Sequence, residues 1–216
     1  MIFETSKENI KELLIHQLGG LFLTPSIFDI ELIDEVFDRV LEKLEINFSS
    51  NPNKYYSRIV KGKREAYFNP YHSGQWTVFL YFMSYELAHY PSDDDHALLL
   101  ADRVYYLNKV MNSCDLYHQV KLPLCFALDH PQGTVMGRAK YSNGLSFGQC
   151  CTVGNNNDIY PEIGENCQMC MNSAILGNSH IGKNVIIGAG ALVKDQDVPN
   201  NSIVFGQSPN LIIKSR

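Results

Sequence analysis

The chain has 216 residues, of which 45% are hydrophobic, and its 18 basic and 23 acidic residues give a formal net charge of -5. This length suits one domain or two small ones. The chain has no block of like charges that could neutralise phosphates, so we expect no nucleic-acid partner. The longest apolar run, around residues 76–80, is far shorter than the roughly 20 residues that span a bilayer, and the N-terminus has no signal-peptide core. We therefore expect a cytoplasmic protein without a membrane partner.

Residues 1–113 show apolar residues at helical spacing, which predicts an all-α N-terminal domain. Aromatic residues at this spacing, such as Trp76 and Phe79, are typical of a core rather than a ligand site. The signals that bound the predicted helices are a capping-box pattern at Thr5 and Glu8, a stop at Gly19 and Gly20, a start at Ser26, a stop at Pro91 and a start at residues 92–95.

From Val135 onward, large apolar residues recur every six positions. They fall into two series separated by four extra residues: Val135, Tyr141, Phe147 and Val153, then Ile163, Met169, Ile175, Ile181, Ile187 and Val193. Glycine often follows the large residue, and the fifth position of each repeat is mostly small. This pattern is typical of a left-handed parallel β-helix. The predicted fold class is therefore α+β, with a helical domain at 1–113 and a β-helix of hexapeptide repeats at 114–216.

Six cysteines in a chain without an export signal are expected to be thiols. Cys151 and Cys167 fill the small inward position that elsewhere holds Ala or Ser. The C-x-x-C motif at 167–170 has no second pair. We therefore interpret these cysteines as packing residues rather than as a metal or redox site, and we assign no role to Cys150 and Cys170.

Two further features suggest a site. The four extra residues form a polar loop within 154–164, with Asp158 and Tyr160 expected at its tip; such a loop is either functional or plain surface. His130 precedes the first clear repeat, and Pro131 favours an extended backbone for it. Asp115, fifteen residues earlier, would lie beside His130 on the neighbouring coil. A carboxylate there would leave His130 as a general base, whereas the alternative is a histidine that only caps a corner.

From Asp115 to its end, the chain resembles the serine acetyltransferases of the hexapeptide-repeat acyltransferase superfamily. Residues 129–133, "DHPQG", stand where that family has D-H-A-T-G. Asp115 stands at the aspartate of the family's D-I-H-P motif, with the same spacing of fifteen residues to the histidine. The segments that follow in the family's order are "LSFGQCCTVG", "AILGN", "IGKNVIIGAGALV" and "VPNNSIVFG".

The resemblance implies transfer of an acetyl group from acetyl-CoA to a hydroxyl of L-serine or a related small acceptor. His130 would be the base and Asp115 would orient it, without a covalent acyl-enzyme and without a metal. It also implies a homotrimer or a dimer of trimers, with CoA between neighbouring β-helices. The family's cofactor-contacting positions correspond to Asn155, Met171, Gly188, Ala189 and Gly190. Asn155 replaces a glycine and Met171 an alanine, so only backbone roles carry over to these two.

The acceptor side matches the family less well. Asp129 keeps an acid that contacts the acceptor in the family, but the family's D-R-H-P motif reads Asp158-Ile159-Tyr160-Pro161 here. Ile159 has no guanidinium to hold a carboxylate. Either another basic residue takes this role, or the acceptor is a sugar or another alcohol bound by polar and aromatic groups such as Asn156, Asn157 and Tyr160.

A third hypothesis is of a different class. It is a non-catalytic hexapeptide scaffold, or a β-helical metalloenzyme of the carbonic anhydrase kind. The metalloenzyme would need His118, His130 and His180 to converge, although their spacing follows no repeat.

Overall fold

The computed structural model describes residues 1–91 and 95–216. These residues form two compact units. The helical unit comprises Met1–Asn112 with Tyr117–Gln119, and the β-helical unit comprises Ser113–Leu116 with Val120–Arg216. Across the two described ranges, no helix combines the length and the apolar character that a membrane crossing requires.

Four helices make up most of the helical unit: α1 (Lys7–Leu21), α2 (Ile27–Ser50), α3 (Ser73–Ala88) and α4 (His96–Asn112). Helix α3 packs against both α2 and α4 and is buried on most sides. The rings of Trp76 and Phe79 stack with centroids 4.6 Å apart, and both side chains are buried. These aromatic residues are therefore core residues, as predicted.

The start of α2 is confirmed. The Ser26 hydroxyl accepts from the Asp29 backbone N–H at 3.2 Å, and the Asp29 carboxylate accepts from the Ser26 N–H at 2.7 Å, which completes a capping box. The predicted cap of α1 at Thr5 is wrong, because the Ser6 hydroxyl takes that role by accepting from the Asn9 N–H at 3.1 Å.

The predicted end of α1 is also wrong. Gly19 and Gly20 lie inside the helix, which continues to Leu21, because a glycine within a helix costs only about 1 kcal/mol and does not by itself end it. The predicted start of α4 falls mainly on residues 92–94, which lie outside the described residues.

A three-stranded sheet completes the helical unit, in the order β1 (Ile2–Phe3), β3 (Lys63–Phe68) and β2 (Ser57–Val60). Strands β2 and β3 are antiparallel and joined by Lys61 and Gly62, both with positive φ, as a tight hairpin requires. Four helices followed by a parallel β-helix confirm the predicted fold class. The small sheet adds strands to the part predicted as all-α.

The β-helical unit has three parallel faces. Face A contains β4 (Phe126–Leu128), β7 (Leu145–Phe147), β10 (Gln168–Met169), β13 (Ile186–Ile187) and β15 (Ser202–Phe205), with β16 (Ile212–Ser215) antiparallel at its edge. Face B contains β5 (Val135–Met136), β8 (Thr152–Gly154), β11 (Ala174–Leu176) and β14 (Leu192–Lys194). Face C contains β6 (Lys140–Tyr141), β9 (Glu162–Ile163) and β12 (His180–Ile181).

The predicted inward series is confirmed along most of the unit. Val153, Ile175 and Val193 align across face B and are buried. Val135 is an error in the predicted series. Its side chain is 41% exposed, and Met136 pairs with Val153 and fills the core instead. The coil from Met136 to Val153 is one residue shorter than the coil from Ile175 to Val193. Counting back from Val153 in steps of six therefore reaches Val135 instead of Met136.

The inward cysteines are packed as predicted. Cys151 and Cys167 are fully buried, whereas Cys150 is exposed and Cys170 is partly buried. Burial raises the pKa of the Cys167 thiol to about 12. A thiol in this environment is protonated at neutral pH and is a poor nucleophile and metal ligand.

Close contact between coils makes some glycines obligatory, and this can be tested. A Cβ on Gly164 would lie 2.7 Å from the Gly182 carbonyl carbon and oxygen of the next coil. We expect Gly164→Ala to lower the free energy of unfolding by about 1–3 kcal/mol, because backbone atoms in the ladder cannot move aside. Urea denaturation measures the change. The control Gly20→Ala in α1, where a Cβ meets nothing within 4 Å, should not destabilise the chain, and equal stability of both variants would contradict this packing.

Thiol accessibility gives a second prediction. At pH 8, iodoacetamide should modify Cys150 within minutes and leave Cys167 unmodified, because burial keeps the latter protonated with its pKa at about 12. Peptide mass spectrometry after timed quenching measures both sites, and Cys150→Ser identifies the signal of the adjacent Cys151. Rapid labelling of Cys167 in the folded protein would contradict its inward packing.

Candidate functional site

The segment that carries His130 is a lengthened corner of the β-helix. Residues 129–134, here called the His130 corner, connect β4 on face A to β5 on face B. The corresponding connections of later coils, 148–151, 170–173 and 188–191, are two residues shorter. The two extra residues lift His130 out of the regular stack.

The backbone at His130 differs from the prediction. Its φ is +50°, in the left-handed region, so the extended conformation predicted from Pro131 is wrong. Gly133 in the same corner also has positive φ, whereas each of the three shorter corners has one such residue: Cys150, Asn172 and Gly190. A left-handed non-glycine residue costs about 1 kcal/mol or more. The His130 corner therefore has one more left-handed residue than each of the shorter corners.

The imidazole of His130 is open to solvent. Its side chain is 78% exposed, and Nε2 lies 3.7 Å from Oδ1 of Asp129, whose side chain is 83% exposed. This separation is longer than a hydrogen bond. The corner therefore presents an accessible imidazole beside an accessible carboxylate.

Asp115 lies on the strand edge next to this corner. Its N–H donates to the Thr134 carbonyl at 2.8 Å, and its carbonyl accepts from the Met136 N–H at 3.0 Å, so Asp115 pairs with Val135 in parallel fashion. The backbone of Asp115 thus lies one coil before β5, the first strand of face B. Orientation of the His130 imidazole by the Asp115 carboxylate stays a prediction.

The predicted insertion forms a tight hairpin. Residues 155–161, here called the loop corner, connect β8 to β9 and are four residues longer than 177–179, which make the same connection one coil later. Asn156 and Ile159 exchange backbone hydrogen bonds of 3.0 and 3.1 Å, and Asn157 and Asp158 between them both have positive φ. Asp158 is therefore at the tip as predicted, but Tyr160 lies at the base of the loop.

The loop corner is fixed to the following coils. The Asn156 side-chain amide donates to Asp195 at 2.6 Å, and the same carboxylate accepts from the Asn178 backbone N–H at 2.8 Å. Asn155 donates to Asp158 at 3.4 Å. The Asn156 amide is thus engaged in holding the loop.

A cavity of about 470 Å³ lies against the loop corner, between residues 138–140 and 158–162. It brings together Asp158 and Tyr160, two predicted acceptor-binding residues, but not Asp129. It also contains Arg138, which the sequence analysis missed. No sequence motif marks Arg138; it reaches the cavity because Lys140, two residues later, pairs with Glu162 just after the loop.

The residues predicted to contact CoA are divided between two corners. Met171 lies in the connection 170–173, and Gly188, Ala189 and Gly190 lie in the corresponding connection one coil later, between faces A and B. Met171 and Ala189 are exposed. Asn155 lies in the loop corner at the opposite end of the face B strands, so within one chain it is not brought together with the others.

The three histidines considered for a metal do not converge. Nε2 of His118 lies 2.8 Å from Asp102, Nδ1 of His180 lies 2.8 Å from Asp197, and His130 lies beside Asp129. Each histidine thus has its own carboxylate neighbour. Among residues 1–91 and 95–216, no group of three or more His, Cys, Asp or Glu residues is arranged to hold a metal ion.

Comparison with known proteins supports the resemblance. The family described as bacterial transferase hexapeptide (six repeats) matches residues 160–195. Serine acetyltransferase 2 of Arabidopsis thaliana is 31% identical over 134 residues, which cover 60% of this chain and 41% of that protein. The chain spans about half of the length of the curated relatives that it matches, from 41% to 52%.

Solved structures share the fold over nearly the whole chain. The serine acetyltransferase of Neisseria gonorrhoeae in complex with serine matches with a TM-score of 0.71 at 22% identity, covering 97% of this chain and 84% of that one. A serine acetyltransferase in complex with CoA matches with a TM-score of 0.68 at 19% identity, covering 95% and 83%. These findings confirm the resemblance predicted from the sequence: the chain is similar in sequence and in fold to the serine acetyltransferases of the hexapeptide-repeat acyltransferase superfamily.

Proposed function

We propose that the protein is an acetyl-CoA-dependent O-acetyltransferase that acts on the hydroxyl of L-serine or a related small acceptor. The observation that carries this proposal is the exposed His130 imidazole, presented by a lengthened corner of a hexapeptide β-helix. Similarity to serine acetyltransferases, including one in complex with serine and one in complex with CoA, supports the donor and the acceptor class.

In the proposed mechanism, His130 accepts the proton of the acceptor hydroxyl as its oxygen attacks the thioester carbonyl. The resulting tetrahedral adduct collapses, the C–S bond breaks, and the imidazolium returns its proton to the departing CoA sulfur. No bond forms between the enzyme and the acetyl group. Asp115 would stabilise the imidazolium while it carries the proton.

The developing oxyanion needs donors that are already in place. Backbone N–H groups at the corners of the β-helix are the proposed source, and each is worth roughly 3 kcal/mol of transition-state stabilisation. Met171 and the segment 188–190 lie between the same two faces as His130, on later coils. Of these residues Met171, Ala189 and Gly190 are exposed, which supports the proposed role of the two corners in binding CoA.

The two parts of the proposed site lie at opposite ends of the face B strands. The His130 corner precedes face B, whereas Asp158, Tyr160 and Asn155 belong to the loop corner that follows it. A neighbouring copy that brings its loop corner to the His130 corner would complete the site. This division supports the homotrimer, or pair of trimers, implied by the resemblance.

A sugar acceptor is the alternative, and the loop geometry weakens it. Of the polar residues considered for sugar binding, Asn156 already donates to Asp195 at 2.6 Å. Ile159, which is 49% exposed, adds apolar surface to the cavity. Neither feature supplies the hydrogen-bond donors and acceptors that sugar hydroxyls need.

Removing the proposed base should abolish turnover. We expect His130→Ala to lower kcat by about 10²- to 10⁴-fold, the usual contribution of a general base. Loss of the thioester absorbance of acetyl-CoA measures the rate without a thiol reagent, which the exposed Cys150 would consume. His180→Ala is the matched control, because it removes another exposed histidine paired with an aspartate on the same β-helix. Unchanged turnover in His130→Ala would refute the proposed base.

The acceptor class is tested by direct comparison. Wild-type protein is incubated with acetyl-CoA and either L-serine or a panel of sugars, and the acetylated product is identified by mass spectrometry. We expect turnover with L-serine, since the similar proteins are serine acetyltransferases. If only sugars were acetylated, L-serine would be the wrong acceptor and the alternative acceptor would be correct.

A further inference from the structure

Two cationic side chains line the cavity at the loop corner, and they differ in whether a carboxylate lies beside them. Lys140 forms an ion pair with Glu162, and this hydrogen bond lowers the pKa of the Glu162 carboxyl. Arg138 lines the same cavity but has no carboxylate partner among the residues that the structure describes. One cation is thus committed to a neighbour and the other is available to a ligand.

The pairing of Lys140 is fixed by the backbone. Lys140 and Glu162 are register partners in neighbouring strands of face C, and the Lys140 N–H donates to the Pro161 carbonyl at 3.0 Å. Cross-strand side chains in this arrangement lie close together. Lys140 therefore has a carboxylate neighbour of its own, and a ligand carboxylate at Lys140 would compete with Glu162.

Two charged side chains of the cavity form no ion pair among the described residues, and they are of opposite sign: Arg138 and Asp158. Asp158 faces the same space as Arg138, and its described partner is the neutral Asn155 amide at 3.4 Å. Since the protein does not join the two charges into an ion pair in its described part, a ligand that carries both a carboxylate and an ammonium group can satisfy both of them. A free amino acid has these two groups.

On this basis, and resting on the proposed function, we infer that Arg138 binds the carboxylate of the acceptor and selects an amino acid over a neutral alcohol. The guanidinium can hold a carboxylate through two parallel hydrogen bonds. Arg138 would thus supply the charge that Ile159, which lines the same cavity, lacks. Asp158 would face the ammonium group.

The test compares L-serine with L-serinamide, which keeps the hydroxyl and the amine but has no carboxylate. We expect Arg138→Gln to lower kcat/KM for L-serine by about 10- to 100-fold, mainly through KM, because a hydrogen bond to a charged group is lost. The kcat/KM for L-serinamide should change by less than about twofold, so the preference of the enzyme for serine should fall by the same 10- to 100-fold.

Two further variants define the result. Arg138→Lys keeps the charge without the two-pronged geometry and should recover part of the preference for serine. Lys183→Gln is the matched control, since it removes another exposed cation of the β-helix, one that pairs with Glu165 at 2.9 Å, and it should keep the wild-type preference. Retained turnover of L-serinamide shows that the Arg138→Gln site is folded.

The two proposals fail in different ways. If the wild-type protein does not acetylate L-serine, the proposed acceptor is wrong and this inference is wrong with it. If the wild-type protein acetylates L-serine and Arg138→Gln shows the same preference for serine over serinamide, only the role of Arg138 is refuted.

Discussion

The parallel ladder between successive coils is the constraint on which the β-helical unit depends. Each face repeats its register from coil to coil, as in the pairing of Val153 with Ile175 and of Ile175 with Val193. A residue inserted within a strand would turn the side chains after it to the opposite surface, so extra residues must leave the stack at a corner. The unit has two such extensions, 129–134 and 155–161, and these contain His130 and most of the residues proposed to meet the acceptor.

The same ladder explains how much of the fold was predictable. The six-residue period identified the strands and the four-residue insertion, because both repeat blocks are long. It misplaced Val135, since the shorter coil that aligns Met136 with Val153 can be seen only once the strands are paired. The two-residue extension at His130 was hidden because the preceding coil has no regular repeat. The small sheet in the helical unit was missed because its turn, Lys61–Gly62, stands among residues whose apolar spacing is ambiguous.

Residues of the candidate site can be proposed from the sequence where they belong to local motifs, but not where strand pairing brings them to the cavity. His130 and Asp115 are proposed from spacing and resemblance, and Asp158 and Tyr160 from the position of the insertion and the resemblance. Arg138 carries no motif. It reaches the cavity only because face C pairs Lys140 with Glu162, which brings together two segments more than twenty residues apart in the sequence. Contacts of this kind follow from the register of the coils and not from any short stretch of sequence.

Charge balance in the cavity bears directly on the choice of acceptor. With Lys140 and Glu162 paired, a neutral sugar would displace water from Arg138 and Asp158 without returning an opposite charge to either group, and this desolvation is unfavourable. A zwitterion places an opposite charge against both Arg138 and Asp158, so the free-energy cost of removing their water is smaller. Because the cavity and the His130 corner lie at opposite ends of face B, the groups proposed to choose the acceptor and the proposed base would come from different copies in the proposed trimer. In that proposed arrangement, assembly would be required for both selection and chemistry.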